Sequence, residues 1–295
     1  MIWVTWRQQR LQIFAVFGIV TLISAVLVYV RADAVSLLPD KELVMNEYNL
    51  PLQYFSLLML ALPVLLGMFF GAPLFAREIE SGTHVFGLTQ SVSRTRWIVT
   101  KLAIAGGSLA LAMLILGMVS VWALEPVSFV LRGRIGTGVF EAQGVVVGGY
   151  AILAFAIGAT AGLVLRNTLA AMVVTLALYT VVLMAVANEV REHYAAPTVY
   201  ETRVDGMSGR IEPPEAWLLE RGFMEADGSR ISVLECTRSG QMVACMNDSR
   251  FVGEYLRVHL PDRFWRFQFT ELGLVLLLSA GVFGALAIAG KRRLT

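Results

Sequence analysis

The chain has 295 residues, of which 57% are hydrophobic and 16% are charged, and its mean hydropathy is +0.67. A soluble protein is about one-quarter charged, whereas here the apolar residues fall in runs of about 20, the length that crosses the hydrocarbon of a bilayer. This composition excludes a soluble protein and predicts an all-α integral membrane protein with six transmembrane helices. The net charge is only +2, and the basic residues are divided among short segments, so the sequence has no basic stripe for nucleic acid.

The chain opens with a short amphipathic segment, residues 1–10. Its tryptophans, Trp3 and Trp6, can lie in the membrane interface while Arg7 and Arg10 face the headgroups. We therefore predict a short amphipathic helix on the membrane surface, followed by the first span.

Six apolar runs are long enough to cross the membrane. The predicted spans are residues 11–30, 52–76, 98–122, 144–165, 169–187 and 267–290. Glycines four residues apart, which let helix backbones approach closely, recur in the second and fourth spans. These pairs are Gly67 with Gly71, Gly144 with Gly148, and Gly158 with Gly162. We expect these faces to pack against other helices.

Six spans place both termini on one side of the membrane, and the distribution of charge indicates which side. The segments on the side of the termini carry ten basic residues and two acids. The basic ones are Arg7, Arg10, Arg77, Arg94, Arg96, Lys101, Arg166, Lys291, Arg292 and Arg293. The two short loops on the other side, 31–51 and 123–143, carry four basic residues and six acids. By the positive-inside rule, both termini and the tail 291–295 are cytoplasmic, and the large polar insert 188–266 is extracellular.

The cytoplasmic segment between the second and third spans, residues 77–97, is too long for a bare turn. Ile79, Phe86 and Leu88 can share the apolar side of a helix, with polar residues beside them. We interpret the segment as an amphipathic helix that a cytoplasmic partner could bind. A solvated loop that only connects two spans is the alternative.

The insert 188–266 is predicted to be a small mixed α/β domain. In chain order, we predict a continuation of the fifth helix over 188–203, a helix from Pro213 through Trp217 and Leu219, a hairpin of strands 231–236 and 241–246, and a helix through Phe251, Tyr255 and Leu256.

Both cysteines of the chain, Cys236 and Cys245, lie across the predicted hairpin. The flanks of a hairpin bring β-carbons close enough for a disulfide, and an extracellular compartment permits one. We predict a bridge between these cysteines; two reduced thiols with no role are the alternative. The eight intervening residues and the lack of a nearby histidine argue against a zinc site.

The sequence contains no familiar catalytic motif. The phosphate-binding pattern G-x-x-x-x-G-K-[ST] is missing, and none of the three histidines falls within a predicted span. Neither the zinc-protease pattern H-E-x-x-H nor the hydrolase pattern G-x-S-x-G occurs. We therefore expect a non-catalytic chain that binds no metal or cofactor of its own.

Two further features could serve a function inside the membrane. Glu271 lies near the outer end of the sixth span, and an intramembrane acid is a functional candidate. Alternatively, it reaches headgroup water or pairs with Arg266. Several phenylalanines could line an apolar pathway, or they only pack and face lipid. They are Phe55, Phe69, Phe70, Phe75 and Phe155.

Four passages resemble ABC-2-type transporter permeases, more closely the actinobacterial type with a large extracellular insert between spans five and six. They are MIWVTWRQQR, FGAPLFAREIESGTHVFGLTQSVSRTRWIVTKL, FEAQGVVVGGYAILAFAIGATAGLVLRNTLAAMVVTL and LPDRFWRFQFTELG. The second is the most specific, with its elements R-E-x-E-x-G-T, S-V-S-R-x-R-W and a following K. Together the passages cover most of the membrane part.

The resemblance implies a fold like that of type V ABC exporters, with an N-terminal elbow helix over residues 1–10. Two six-span chains, identical or different, would pair in a bacterial cell membrane, and each would rest a coupling helix on one of two ATPase subunits. The coupling positions in this sequence are Arg77, Glu78, Glu80, Gly82, Thr83, His84 and Phe86. ATP and Mg would bind the ATPase, and this chain would move an amphiphilic or hydrophobic substrate outward. The candidate substrate pathway comprises Phe69, Phe70, Phe155 and Glu271.

Two other functions stay open at this point. In one, the ATPase cycle drives work on the extracellular domain or its partners without bulk transport. In the other, the chain is a membrane-embedded enzyme, for which the sequence has no cluster of acids, bases or metal ligands.

Overall fold

The computed structural model describes residues 2–82, 93–131, 133–203, 213–238 and 251–293. Six of its helices are long and apolar enough to cross a membrane, which confirms the predicted architecture. They are α1 (Ile2–Leu37), α2 (Lys41–Glu80), α3 (Arg94–Leu124), α4 (Val146–Leu165), α5 (Thr168–Ala185) and α7 (Phe264–Arg293), and the short helix α6 (Val233–Arg238) precedes the last. Both termini lie at one end of the bundle, called the terminal end, and a small β-sheet lies at the other, the sheet end.

The connection between α1 and α2 consists only of residues 38–40, so most of the loop predicted over 31–51 is helical. Asp40 caps α2 by accepting a hydrogen bond from the backbone N–H of Leu43 at 3.0 Å. In this first part of α2, the buried side chains are Val44, Tyr48 and Leu52, which recur every four residues. Apolar residues at helical spacing therefore carry the helix beyond the length that the hydrocarbon requires.

The N-terminal segment differs from the separate surface helix predicted for residues 1–10, because α1 is unbroken. Its buried side includes Thr5 and Gln9 and continues with Ile13, four residues further on. Since this helical periodicity is not interrupted, residues 2–10 are the first turns of the helix that forms the first span.

Helix α4 is the centre of the bundle and contacts α2, α3, α5 and α7. Its backbone contacts that of α2 at two of the predicted glycine pairs, Gly67 with Gly71 and Gly158 with Gly162. A Cβ added to Gly67 would lie 2.8 Å from the nitrogen of Phe155, and one added to Gly158 would lie 3.0 Å from the nitrogen of Ala72. A side chain at these glycines would push the two helices apart, so their close approach depends on glycine.

The insert contains an antiparallel sheet of four strands in the order β1–β4–β2–β3. The strands are β1 (Thr198–Arg203), β2 (Trp217–Glu225), β3 (Arg230–Ser232) and β4 (Phe251–His259). Strand β4 is central, with Leu256 opposite Tyr200 on one side and Arg221 on the other. Together with α6, the sheet agrees with the predicted small mixed α/β insert.

Several secondary-structure predictions within the insert are wrong. The predicted helices around 217–219 and 251–256 are strands β2 and β4, and the predicted strand 231–236 is mostly helix α6. The predicted helix over 188–203 ends early, in a π-helical turn (Val186–Val190) and a 3-10 turn (Arg191–His193) that lead to β1. Pairing between segments distant in the sequence decides these elements, and local patterns do not contain that information.

The disulfide prediction is only partly within the described residues. Cys236 lies in α6, where it is buried and disulfide-bonded. Cys245 and the predicted strand 241–246 lie outside the described residues, so the pairing of the two cysteines stays a prediction.

We predict that Gly71→Ala destabilises the bundle, because a Cβ there would lie 2.9 Å from the backbone nitrogen of Ala159. Overpacking a core costs about 1–3 kcal/mol, so the purified variant should melt several degrees below the wild type. The matched control is Gly107→Ala in α3, where a Cβ meets nothing within 4 Å and the melting temperature should not fall. Equal melting temperatures for the two variants in one detergent would contradict the tight contact between α2 and α4.

Candidate functional site

The residues predicted to couple this chain to a partner begin in the last turn of α2. Arg77, Glu78 and Glu80 lie there, and Gly82 follows the helix with a φ of 70°, a conformation that glycine adopts readily. The predicted coupling residues Thr83, His84 and Phe86 lie outside the described residues. The structure therefore describes the start of the predicted coupling segment, residues 77–97, only as far as Gly82.

Glu78 binds the first turns of α3. The buried ammonium group of Lys101 donates a hydrogen bond to the Glu78 carboxylate and lies 4.6 Å from the centre of the Trp97 ring. Trp97 packs against Phe75 of α2, with 5.5 Å between ring centres. An ion pair and an aromatic contact thus fasten the end of α2 to the start of α3.

Glu80 binds the start of α5. Its two carboxylate oxygens accept hydrogen bonds from the backbone N–H of Thr168 at 2.9 Å and from the Thr168 hydroxyl at 2.8 Å. A carboxylate at a helix N-terminus also interacts favourably with the helix dipole. Two acids two residues apart therefore connect the end of α2 to both α3 and α5.

Of the four residues predicted to line a substrate pathway, only Phe70 and Phe155 lie in one buried core cluster. Phe69 is exposed on α2, whereas Phe70 and Phe155 are buried in the core. Glu271 belongs to a separate ionic cluster, described below. The role of these four residues in a substrate pathway between two chains stays a prediction.

A cavity of about 430 Å³ opens beside α2 at the sheet end. Its lining includes the polar residues Asn49, Gln53 and Ser56 and the apolar residues Leu57 and Leu60. Polar and apolar groups on one wall fit an amphiphilic molecule. Sequence reasoning missed this cavity because its other wall, residues 130–131 and 137–139, belongs to a connection whose position against α2 only the tertiary structure gives.

Glu271 is part of an ionic cluster that is almost fully buried at the sheet end. Its carboxylate accepts hydrogen bonds from Arg191 Nε at 2.8 Å, from Arg191 Nη2 at 2.7 Å and from the Tyr150 hydroxyl at 2.8 Å. Arg191 Nη2 also donates to Glu141 Oε1 at 2.5 Å, and the guanidinium lies 4.2 Å from the centre of the Phe140 ring. We refer to Glu141, Tyr150, Arg191 and Glu271 as the Arg191 cluster.

The Arg191 cluster joins segments that are distant in the sequence. Glu141 comes from the connection between α3 and α4, Tyr150 from α4 and Glu271 from α7. Arg191 directly follows the π-helical turn after α5, and such turns change the direction in which later side chains point. The cluster therefore fastens the sheet ends of α4, α5 and α7 to one another.

Gln268, one turn before Glu271, extends this contact. Its amide nitrogen donates to the carbonyls of Phe140 at 3.2 Å and Gln143 at 3.0 Å, and its amide oxygen accepts from the N–H of Val146 at 3.0 Å. The oxygen satisfies one of the free N–H groups at the start of α4. Helix α7 thus anchors the connection that carries Glu141.

The suggested pairing of Glu271 with Arg266 is wrong, because Arg266 is exposed and Arg191 takes that place. The only signal in the sequence was an acid within an apolar run. Its partner was hidden because Arg191 lay in the predicted insert, 80 residues away. Removing one partner of a buried ion pair costs about 3–5 kcal/mol, so this contact is a major constraint on the fold.

Tilted and edge-to-face contacts between rings attach the sheet to α7. His259, the last residue of β4, is buried, and its ring centre lies 5.6 Å from that of Trp217 and 5.0 Å from that of Phe267. Its Nε2 donates to the carbonyl of Glu192 at 3.0 Å, which leaves Nδ1 to accept from the guanidinium of Arg263 at 3.3 Å. This arrangement requires the neutral imidazole, and burial lowers the pKa of His259 below its ordinary value.

The six apolar helices define a multi-pass membrane protein. Residues 17–191 match the model of the family described as ABC-2 membrane transporter related, and the match covers more than half of the chain. The chain therefore belongs to this family: it is an ABC-2-type permease, a membrane component of an ABC transporter, and the family implies association with ABC ATPase components. No curated protein and no solved structure matches the chain.

We predict that Arg191→Gln lowers the free energy of unfolding by about 3–5 kcal/mol, because two carboxylates would stay buried without their cation. Adding Glu141→Gln and Glu271→Gln to this variant should recover part of the loss. The control Arg266→Gln changes an exposed arginine of the same helix as Glu271 and should leave stability unchanged. The free energy of unfolding of each purified variant is measured in detergent. Identical unfolding curves for Arg191→Gln and Arg266→Gln would contradict a stabilising role for the Arg191 cluster.

We predict that the attachment of the sheet weakens as the pH falls below about 6.5, the ordinary pKa of histidine. Because burial lowers the pKa of His259 in the fold, the unfolded state binds more protons in this range. The stabilising contribution is complete above about 6.5 and is lost as the pH falls through the lower pKa of the folded state. Hydrogen exchange of the β4 amides on either side of this pH measures the effect.

Two variants show whether the pH dependence comes from His259 or from another titrating group. His259→Gln keeps a donor for the Glu192 carbonyl but does not titrate, so it should lose the pH dependence. His193→Gln, at an exposed site, should retain it. Retention of the full pH dependence in His259→Gln would assign the effect to another group.

Proposed function

We propose that this chain is the permease half of an ATP-driven exporter that moves an amphiphilic or hydrophobic substrate outward across the bacterial cell membrane. Two such chains, identical or different, pair, and two separate ATPase subunits bind their coupling segments, residues 77–97. ATP and Mg bind to the ATPase subunits, and this chain contributes no catalytic residue. Both termini are cytoplasmic, and residues 188–266 are extracellular.

The attachment of the end of α2 to two neighbouring helices carries this proposal. Glu78 pairs with Lys101 of α3, and Glu80 binds Thr168 of α5. A force on the segment that follows α2 therefore acts on three spanning helices at once. ATP shifts the complex between two conformations only if it binds them with different affinities. In this proposal the two conformations differ at the three-helix contact, on which the bound ATPase rests.

The distribution of charge supports the orientation. The terminal end includes Arg77, Arg96 and the basic residues of both termini, which the positive-inside rule assigns to the cytoplasm. The disulfide-bonded Cys236 lies at the opposite end, as expected for a compartment that permits disulfides.

The exposed faces of α2 and α5 support a pairing of permease chains. Apolar side chains that one chain leaves uncovered include Leu57 and Phe69 of α2 and Val173 and Val181 of α5. Leu57 also lines the 430 Å³ cavity, so a second chain against α2 would close that cavity from the lipid. An amphiphilic substrate would then meet Gln53 and Leu57 on one wall.

Work on the extracellular domain, without bulk transport, is the second candidate function. The Arg191 cluster and the ring contacts of His259 favour this second function, because they attach the sheet firmly to the bundle. A transport assay in proteoliposomes that contain permease and ATPase distinguishes the two functions. Hydrolysis of ATP without movement of any amphiphile would favour the second.

We predict that Arg77→Glu, at the exposed end of α2, reduces the amount of ATPase subunit that co-purifies with the permease by roughly tenfold, since it reverses the charge of the first residue of the coupling segment. The matched control Arg266→Glu reverses the charge of an exposed arginine at the opposite end and should have no effect. The ATPase is identified by mass spectrometry and quantified relative to the permease. Normal recovery with Arg77→Glu would count against coupling at this site.

A further inference from the structure

A second cavity, of about 470 Å³, lies at the terminal end between the first turns of α1, the end of α2 and the start of α3. Its lining has an apolar part, which includes Leu11 and Leu74, and a polar part, which includes Gln9, Arg77 and Lys101. A water molecule takes about 30 Å³, so the cavity has room for roughly fifteen waters or for one small polar group with the start of an apolar chain.

The charge of this cavity is positive once its internal ion pair is counted. Lys101 and Glu78 compensate each other. Within the described residues, no carboxylate lies at ion-pair distance from Arg77. The lining residues that the structure describes, Arg77, Glu78 and Lys101 among them, therefore carry one net positive charge, which favours an anion.

Gln9 supplies an independent observation. Its side chain is only 4% exposed, and in the described part of the chain neither its amide nitrogen nor its amide oxygen has a hydrogen-bond partner. A buried amide without partners is destabilising. Less than 1 Å² of either amide atom is accessible, so a ligand that both accepts and donates hydrogen bonds would satisfy both atoms once the Gln9 side chain turns toward the cavity that it lines.

We propose that this cavity binds a phosphate group that also carries hydroxyls. Such a group occurs in the headgroup of an anionic phospholipid, phosphatidylglycerol for example, and in soluble glycerol phosphate. Arg77 pairs with the phosphate in a charge-assisted contact, and the Gln9 amide bonds to a phosphate oxygen and a hydroxyl. With a lipid, Leu11 and Leu74 contact the first carbons of the acyl chains.

The position of the cavity favours the lipid source. It lies at the ends of three spanning helices, where hydrocarbon gives way to headgroups, and its lining changes from apolar to polar. A bound headgroup would fasten the first turns of α1 to the end of α2, next to the coupling segment. Binding is measured on the permease alone, so the result is independent of the proposed exporter function.

The test measures lipid binding to the full-length purified permease by native mass spectrometry. Phosphatidylglycerol should be retained in preference to phosphatidylcholine with the same acyl chains. Arg77→Gln should weaken retention about tenfold. The control Arg10→Gln removes an exposed cation that is outside the cavity lining and should change retention less than about twofold.

A variant of Gln9 tests the amide separately. Gln9→Leu places an apolar side chain of similar size on the polar wall, so it should weaken the retention of phosphatidylglycerol. It should also raise the melting temperature of the lipid-free protein, because it removes a buried amide without partners. Should this variant fail to fold, Arg77→Gln still tests the site, since it changes an exposed residue.

The outcomes separate the two sources from non-specific binding. Saturable stabilisation of the permease by soluble glycerol phosphate, lost in Arg77→Gln, would support the same site with a soluble ligand. Equal losses of lipid in Arg77→Gln and Arg10→Gln would indicate general attraction to a basic surface and overturn the proposal. Retention that changes in neither Arg77→Gln nor Gln9→Leu would overturn it as well.

Discussion

The buried ion pairs of Arg191 with Glu141 and Glu271 are the contact on which the sheet end of this permease depends. A guanidinium removed from water must find carboxylates, and here they lie 50 and 80 residues away in the sequence. The guanidinium meets both carboxylates only when α5, α7 and the connection between α3 and α4 are all in place. The cluster therefore favours this one arrangement of helices over others that would bury the same apolar surface.

The two ends of the bundle are built differently. At the sheet end, the charges are fully buried and several hydrogen bonds hold each group, so separating the helices there is costly. At the terminal end, Glu80 is exposed and water competes for its contact with Thr168. Rearrangement of α2 relative to α5 is therefore easier at the terminal end, where we propose that the ATPase binds.

The central helix α4 connects these two ends. Its glycines lie against the backbone of α2, and Tyr150 of the same helix donates to Glu271 of α7. A close contact between backbones has little freedom to slide, because no flexible side chain lies between them. A displacement of α2 would therefore also displace α4, and the hydrogen bond of Tyr150 links α4 to α7, the helix that carries the sheet.

The sequence by itself determined the six spans, the glycine faces of the second and fourth spans, and the family, because span length, glycine spacing and motifs are local properties of the chain. That these two glycine faces pack against each other was decided by the tertiary structure. The sequence located Glu271 as unusual but not its partner, and it assigned β2 and β4 to helices. Only the tertiary structure decided that Arg191 binds Glu271, that Glu78 and Glu80 bind different helices, and that the insert forms a sheet. Each of these depends on groups that meet after the chain has folded, since a buried charge or a strand edge is satisfied by whichever distant segment packs against it.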